Sequence, residues 1–537
     1  MLRRRSRGTL PVRLALALTV LAGTAGPMSA VSAGPAPLDY LIVGGQLIDG
    51  TGSPGRQQDV GVRGDRIVFL GDADQSGLKA RRTIDATGMI VAPGFIDPHT
   101  HSGSDLASPD RERRIAANHL AQGVTSILFG NDGDGSPEVA KTLRGLEASG
   151  TGVNAGSFIG FGAVRRQVVG SGSGAPDADA LGRMKRLVAD GMCQGGFGFS
   201  AGLYYAPQSY ATTDEVVALA REAGLRGGLY ETHLRDESSD NIGLLAAVRE
   251  ALEIGRRADM PVHLAHIKAQ GVDVHGRAGE VIALVEAEQA AGRRVTADQY
   301  PWTASGTRVS NALIPRWVVD GGMEAGRRRL ADPALSERLI PQVADNLRRR
   351  GGPESLLITS GPHAGKTLAA VAAERGEDPV QTAIIIVRDE GDARVASFNM
   401  TEADIAAFAA RPWVVTSSDA TVGHPRRFGT FPQAWTTFVG GGLMSPERFV
   451  RRSSGQTADI FRIPMRGYLR EGYFADVIVL DPARFRALAT YQQPTRMSEG
   501  VQLALVNGVL AVDDGQVTGA LAGRPLRPEP IAGSCTS

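Results

Sequence analysis

The chain has 537 residues, of which 42% are hydrophobic and 21% charged; it exceeds one ordinary domain and can bury a large core. A formal net charge of +1 excludes a strong electrostatic pull toward nucleic acid or an anionic membrane. Only five of the 58 basic residues are lysines, so each lysine can be weighed individually.

Residues 1–33 read as an export signal. "MLRRRSRGTLPVR" is a basic leader, "LALALTVLAG" is apolar but too short to span a bilayer, and "VSA" at 31–33 supplies small residues for cleavage. The expected location is periplasmic or secreted, with no stable membrane insertion after removal of the signal; the export route stays open. No cysteine follows the cleavage position, which argues against a lipid anchor there. Cys193 and Cys535 are the only cysteines and lie far apart, so no disulfide framework is expected.

From 38 to 92 the chain is β-rich: "DYLIVGGQLIDG", "DVGVRGDRIVFLGD" and "RTIDATGMIV" are short β-branched runs broken by glycine turns. The same texture returns over 466–525, so the two ends are expected to complete one small β-sandwich. Between them, over 93–465, strand-like runs alternate with helical periods. The runs are "MIVAPGFID", "TSILFG", "SFIGFG", "GFGFS", "GLYETHL", "VHLAHI", "RVTADQY" and "WVVTSSD". Eight strands separated by stretches such as "TTDEVVALAREAG" predict an α/β fold, a parallel (β/α)8 TIM-like barrel beside the sandwich. Residues 302–412 are too long for a loop and are expected to hold an insertion.

In such a barrel the functional face is the C-terminal end of the strands. His99 and His101 are placed at the end of strand 1, His233 at strand 5, His266 at strand 6 and Asp419 at strand 8. Residues two apart on a strand face the same side, so His99 and His101 point together. Imidazoles with adjacent carboxylates make a borderline-soft site suited to zinc or a similar divalent ion. His119 and His275 look unrelated, His363 is unassigned, and His263, alternating with Ala265, is expected to face away from the barrel interior.

"GFIDPHTH" (94–101) resembles the first-strand signature of the amidohydrolase superfamily. "GFGFSAGLYYAP", "YETHLRDES", "HLAHIKAQG", "DQYPWTASGT", "SSDATVGHPRRFGTFP" and "REGYFADVIVLDP" resemble its N-acyl-D-amino-acid deacylase (D-aminoacylase) branch, from about residue 39 to about 520. The resemblance implies one or two divalent metal ions, zinc above all. His99 and His101 form one ligand pair and His233 and His266 another; Asp419 is the catalytic carboxylate, and Tyr205, Lys268, Tyr300 and Arg426 hold the substrate. One departure matters: the branch carries a cysteine in "GNCG" after strand 2, where this chain reads "FGNDGDGSP", with Asp132 in that place. Asp132 is expected to keep the ligand role with a harder donor; good turn chemistry is the competing reading. No lysine lies near "GFGFS", so a carboxylated-lysine bridge has no candidate there.

The implied reaction is hydrolysis of the amide bond of a small N-acylated D-amino acid. Asp419 takes a proton from the attacking water and returns it to the departing amine. Lys268 and Arg426 suit a free carboxylate, and Tyr205 suits a developing oxyanion. Related hydrolysis of dipeptides or cyclic amides, and a non-catalytic exported binding protein on the same fold, are the competing readings.

Overall fold

Eight parallel strands ring the centre of the computed structural model, which describes residues 37–529 together with 531 and 535; the leader expected over 1–33 lies outside the described residues. The barrel strands are Phe95–Thr100, Val124–Phe129, Asn154–Ser157 continued by Ile159–Gly160, Gly198–Gly202, Leu229–His233, Val262–Leu264, Val295–Gln299 and Val414–Thr416. Neighbours pair in parallel in this order. The ring closes through a parallel bridge from Thr100 to Ala420 and an Asp419 N–H to His99 carbonyl bond of 3.0 Å. Nearly every residue of these strands is buried, polar ones included, so burial does not alternate along them as it does in a half-exposed strand.

Pro98 interrupts the first strand, because it has no N–H to give to the ladder. The register with the second strand slips between Asp97 and Thr100, and the freed Pro98 carbonyl accepts from Asn131 Nδ2 at 3.1 Å. The histidines of this segment therefore sit where regular pairing gives out.

The surrounding helices follow from capping and period. Thr212 caps helix Thr213–Gly224 by accepting from the Glu215 N–H at 3.2 Å; the Glu215 side chain pairs with the buried Arg165 guanidinium at 3.0 Å. Helix Leu244–Ala258 turns Ala247, Val248, Ala251, Leu252 and Ile254 into the main core, each large aliphatic contributing about 1.5–3 kcal/mol of burial.

The two ends of the chain share a second core. Strand Ile90–Pro93 pairs antiparallel with Val477–Leu480, and Ile42, Val60, Val62, Val477, Val479 and Leu503 pack together between a four-stranded and a seven-stranded sheet. Within 302–412, strands Ala304–Arg308, Leu356–Ile358 and Arg394–Phe398 form an antiparallel sheet with its own core of Val309, Leu313, Val343, Ile358 and Ile386. Helix Glu402–Ala409, near the end of this stretch, instead sends Ile405 and Phe408 into the main core.

Two expectations are corrected. Cys193 and Cys535, 342 residues apart, form a disulfide; the fold brings together a helix and the tail that sequence distance separates. His263 faces inward: its ring bonds Asp298 at 2.9 Å and Thr296 at 2.8 Å and packs against Phe461. Alternation with Ala265 does not fix the face, because the sixth strand ends at Leu264 and the backbone then changes hand at His266, which breaks the parity. Among the described residues no helix is long and apolar enough to cross a membrane.

Candidate metal centre

Asp132 stands where two groups of imidazoles meet. Its Oδ1 lies 3.6 Å from His99 Nε2 and 3.6 Å from His266 Nε2, and its Oδ2 lies 3.6 Å from His101 Nε2 and 3.9 Å from His233 Nδ1. His99, His101 and Asp132 form one set able to hold a cation; Asp132, His233 and His266 form a second. His233 Nδ1 and His266 Nε2 are 2.9 Å apart. His99 Nε2 and Asp132 Oδ1 are buried without any hydrogen-bond partner, a state buried polar atoms avoid. Converging imidazole nitrogens around an orphaned carboxylate oxygen fit a divalent ion of the zinc type.

The backbone is forced to make this geometry. Asp132, His266 and Asp419 have φ of 57°, 33° and 45°, the left-handed region that side chains with a Cβ rarely occupy. His266 and Asp419 accordingly lie just beyond the sixth and eighth strands, which end at Leu264 and Thr416, and not on them; a left-handed residue cannot continue a strand. Supporting bonds hold each turn. Gln208 Nε2 donates to the Asp132 carbonyl at 2.8 Å, and Asn131 Oδ1 accepts the Thr100 N–H at 3.3 Å. Asp298 Oδ1 accepts the His266 N–H at 2.9 Å. Gly202 is required beside Asp132, because a Cβ there would meet the Asp132 carbonyl oxygen at 2.5 Å.

A carboxylate layer lies beneath the rings. Glu231 is 3.1 Å and Asp298 3.8 Å from His99 Nδ1, an acidic flank behind the ring whose Nε2 is turned toward Asp132. Glu237 Oε1 is 3.2 Å from His266 Nδ1 and accepts from Lys268 Nζ at 2.7 Å, while Lys268 also comes within 2.6 Å of that ring nitrogen. Burial disfavours an imidazolium at His99, yet Asp132, Glu231 and Asp298 outweigh it and raise its pKa well above the usual value. His266 is likewise raised, to about 9, by Glu237, Asp419 and Asp132 against burial and Lys268. Burial brings His233 down to about 4. The cage is thus a field that favours positive charge.

Asp419 faces the same space. Its Oδ1 is 3.1 Å from His101 Nε2 and its Oδ2 is 2.9 Å from Arg426 Nη2. Burial pushes its carboxyl up, but Arg426, His266 and His101 together hold it well below the carboxylate range. It is therefore ionised, an acceptor only.

The cage opens into a cavity of about 700 Å³ whose lining includes Tyr205, Lys268, Tyr300 and Arg426. The Tyr205 ring is 4.8 Å from that of His233, and burial keeps both Tyr205 and Tyr300 protonated donors. Tyr300 Oη is buried without a partner, as are Arg426 Nε and Nη1; the Arg426 guanidinium lies 4.6 Å from the Tyr300 ring centre. All the residues named from the sequence gather at this one place. Glu231, Glu237, Asp298, Gln208 and His424 were missed. His424 Nδ1 accepts the Arg426 N–H at 3.0 Å and its Nε2 donates to the Ala304 carbonyl at 3.0 Å. Glu237, four residues after His233, carried a signal as one of three acids in "YETHLRDES". His119, set apart in the sequence reading, bonds Ser102 at 2.9 Å directly behind His101.

Residues 82–512 match the amidohydrolase family. The chain is 32% identical over 518 residues to a D-aminoacylase of Alcaligenes xylosoxydans xylosoxydans, covering 91% of this chain and 98% of that one. It is 34% identical to an N-acyl-D-aspartate deacylase of the same organism, covering 90% and 94%. Its fold superimposes with a TM-score of 0.77 and 28% identity on the N-acyl-D-glutamate deacylase of Bordetella bronchiseptica complexed with zinc and a phosphonate mimic of the tetrahedral intermediate, covering 92% of this chain and all of that one.

Proposed function

The chain belongs to the amidohydrolase family, and on that premise we propose that it is a metal-dependent deacylase of N-acyl-D-amino acids, releasing a carboxylate and the free D-amino acid. The relatives named above support this reading. The observation that carries it is the placing of Asp132 between His99, His101, His233 and His266, with ionised Asp419 at the edge of the same cage.

His99, His101, Asp132, His233 and His266 would hold one or two divalent ions, zinc above all. Such an ion supplies a Lewis acid and lowers the pKa of water from about 15.7 toward about 7. Asp419, held ionised by Arg426, accepts the proton of the attacking water through Oδ1 and later delivers it to the departing amine. Tyr205, kept protonated by burial, donates to the carbonyl oxygen as negative charge develops. Arg426 engages Asp419 through Nη2 and retains Nε and Nη1 for the substrate carboxylate. Lys268 and the unpartnered Tyr300 hydroxyl complete that anion pocket. Lys268 already neutralises Glu237, so its second role is to orient His266.

Export to the periplasm or beyond fits the basic and apolar leader, and the Cys193–Cys535 disulfide supports an oxidising compartment. Sequencing the N-terminus of the mature protein checks this, with a start near residue 34 expected.

The reaction is tested by presenting zinc-reconstituted protein with N-acetyl-D- and N-acetyl-L-amino acids and measuring released amine. Release from the D-series is expected. Release confined to the L-series would remove the D-deacylase assignment.

A further inference from the structure

One wall of the cavity breaks a rule of sheet construction. Strands Ala304–Arg308 and Arg394–Phe398 pair antiparallel with Arg308 directly opposite Arg394. Like charges at that position repel. Both arginines line the cavity, and neither has a carboxylate within ion-pair distance among the described residues. Arg308 donates to the main-chain carbonyl of Asp392 at 2.9 Å. The Asp392 carboxylate is already spent on Ser310, at 2.9 Å to its N–H and 2.7 Å to its hydroxyl. Burial, Arg308, Arg426 and Arg427 together press the Arg394 pKa down, the sign of a cation in surplus positive field.

Other cations of the lining have a carboxylate partner, except the buried Arg350, which bonds the Ala312 carbonyl at 3.1 Å and the Tyr204 hydroxyl at 3.0 Å. Arg113 and Arg427 share Asp105, Arg166 pairs with Asp134, Lys268 with Glu237, and Arg426 with Asp419. Arg308 and Arg394, however, face each other directly across the strand pair, and such a local violation is expected where function repays it. A substrate with a single carboxylate, taken by Arg426, leaves it uncompensated.

We propose that the Arg308–Arg394 pair binds a second carboxylate of the substrate, carried on the amino-acid side chain, so that the preferred substrates are N-acylated D-aspartate or D-glutamate. The side chain is favoured over the acyl group because Arg426, the residue assigned to the α-carboxylate, lines the same cavity and reaches the strand that carries Arg308, its Nη2 lying 3.5 Å from the Gly306 carbonyl. Overall identity does not choose: the 32% and 34% relatives carry names that differ on this point. The inference rests on the deacylase reading and extends it to side-chain selectivity.

The test compares kcat/KM of zinc-reconstituted protein on N-acetyl-D-glutamate, N-acetyl-D-aspartate, the neutral isostere N-acetyl-D-glutamine, and N-succinyl-D-leucine, whose extra acid is on the acyl group. One of the acidic side chains is expected to exceed glutamine by at least about tenfold, since a site built to bind a charged group rejects the analogue that lacks it. R308Q/R394Q is expected to erase most of that ratio. R308E, altering one exposed side chain, is expected to shift the preference toward glutamine and serves if the double variant does not fold. Equal or better turnover of N-acetyl-D-glutamine overturns the inference and leaves the deacylase reading standing. N-succinyl-D-leucine surpassing both acidic side chains overturns the side-chain assignment. Amine release from none of the four removes both.

Discussion

The two sides of the cavity are built on opposite electrostatic plans. The barrel side gathers Asp132, Glu231, Glu237, Asp298 and Asp419 around four imidazoles, and the surplus is negative. The insertion side sets Arg308 opposite Arg394 with no carboxylate to match, and the surplus is positive. The difference separates two tasks. A cage for a cation must be negative and rigid, and it is made from backbone at strand ends and in left-handed turns. A wall that selects among anions must be positive, and it is made from a sheet that belongs to a separate core.

Asp419 is where the two plans touch, since one oxygen faces His101 and the other Arg426. Asp419→Asn keeps the shape and removes the base, so kcat is expected to fall about 10²–10⁴-fold with a much smaller change in KM. Near-wild-type turnover would separate Asp419 from the chemistry. Glu237→Gln probes the cage side alone. It removes the negative charge from the acceptor beside His266 Nδ1, and zinc affinity is expected to weaken about 10–100-fold by competition with a metal indicator. An unchanged affinity would leave Glu237 as no more than a partner of Lys268.

His119 lies outside both regions, bonded to Ser102 and under the charge of Arg427 on helix Arg426–Ala434. Burial and that arginine lower its pKa from 6.5 to about 3. The unfolded chain takes up a proton below about 6.5 that the folded chain refuses. His119 therefore costs nothing above that pH and destabilises the fold progressively as pH falls toward 3, by about 2 kcal/mol at pH 5. Denaturant melts at pH 7.5 and pH 5 should show His119→Gln losing less stability on acidification than wild type. An equal loss in both would place the acid sensitivity elsewhere, His424 being the next buried neutral imidazole.

Much of the cage was legible in the sequence, because histidines that end apolar runs in a barrel pattern have few structural uses. The acids behind them were not. Glu231 and Asp298 read as ordinary polar residues of strands, and only closure of the ring brings both to His99. His263 was assigned the wrong face because a parity rule was carried through a turn in which His266 leaves the extended region. The Arg308–Arg394 opposition needs the register of two strands 86 residues apart in the chain, and the disulfide joins positions 342 residues apart. No local pattern encodes either.

Asp132 is shared by both sets of imidazoles, which makes it the residue that joins them into one cation site. Elemental analysis of zinc-reconstituted wild type and Asp132→Ala at equal protein concentration tests it without recourse to activity. The expected result is at least one tightly held ion per wild-type chain and a clear loss in the variant; equal stoichiometry in the two, or a wild type that holds none, would contradict it.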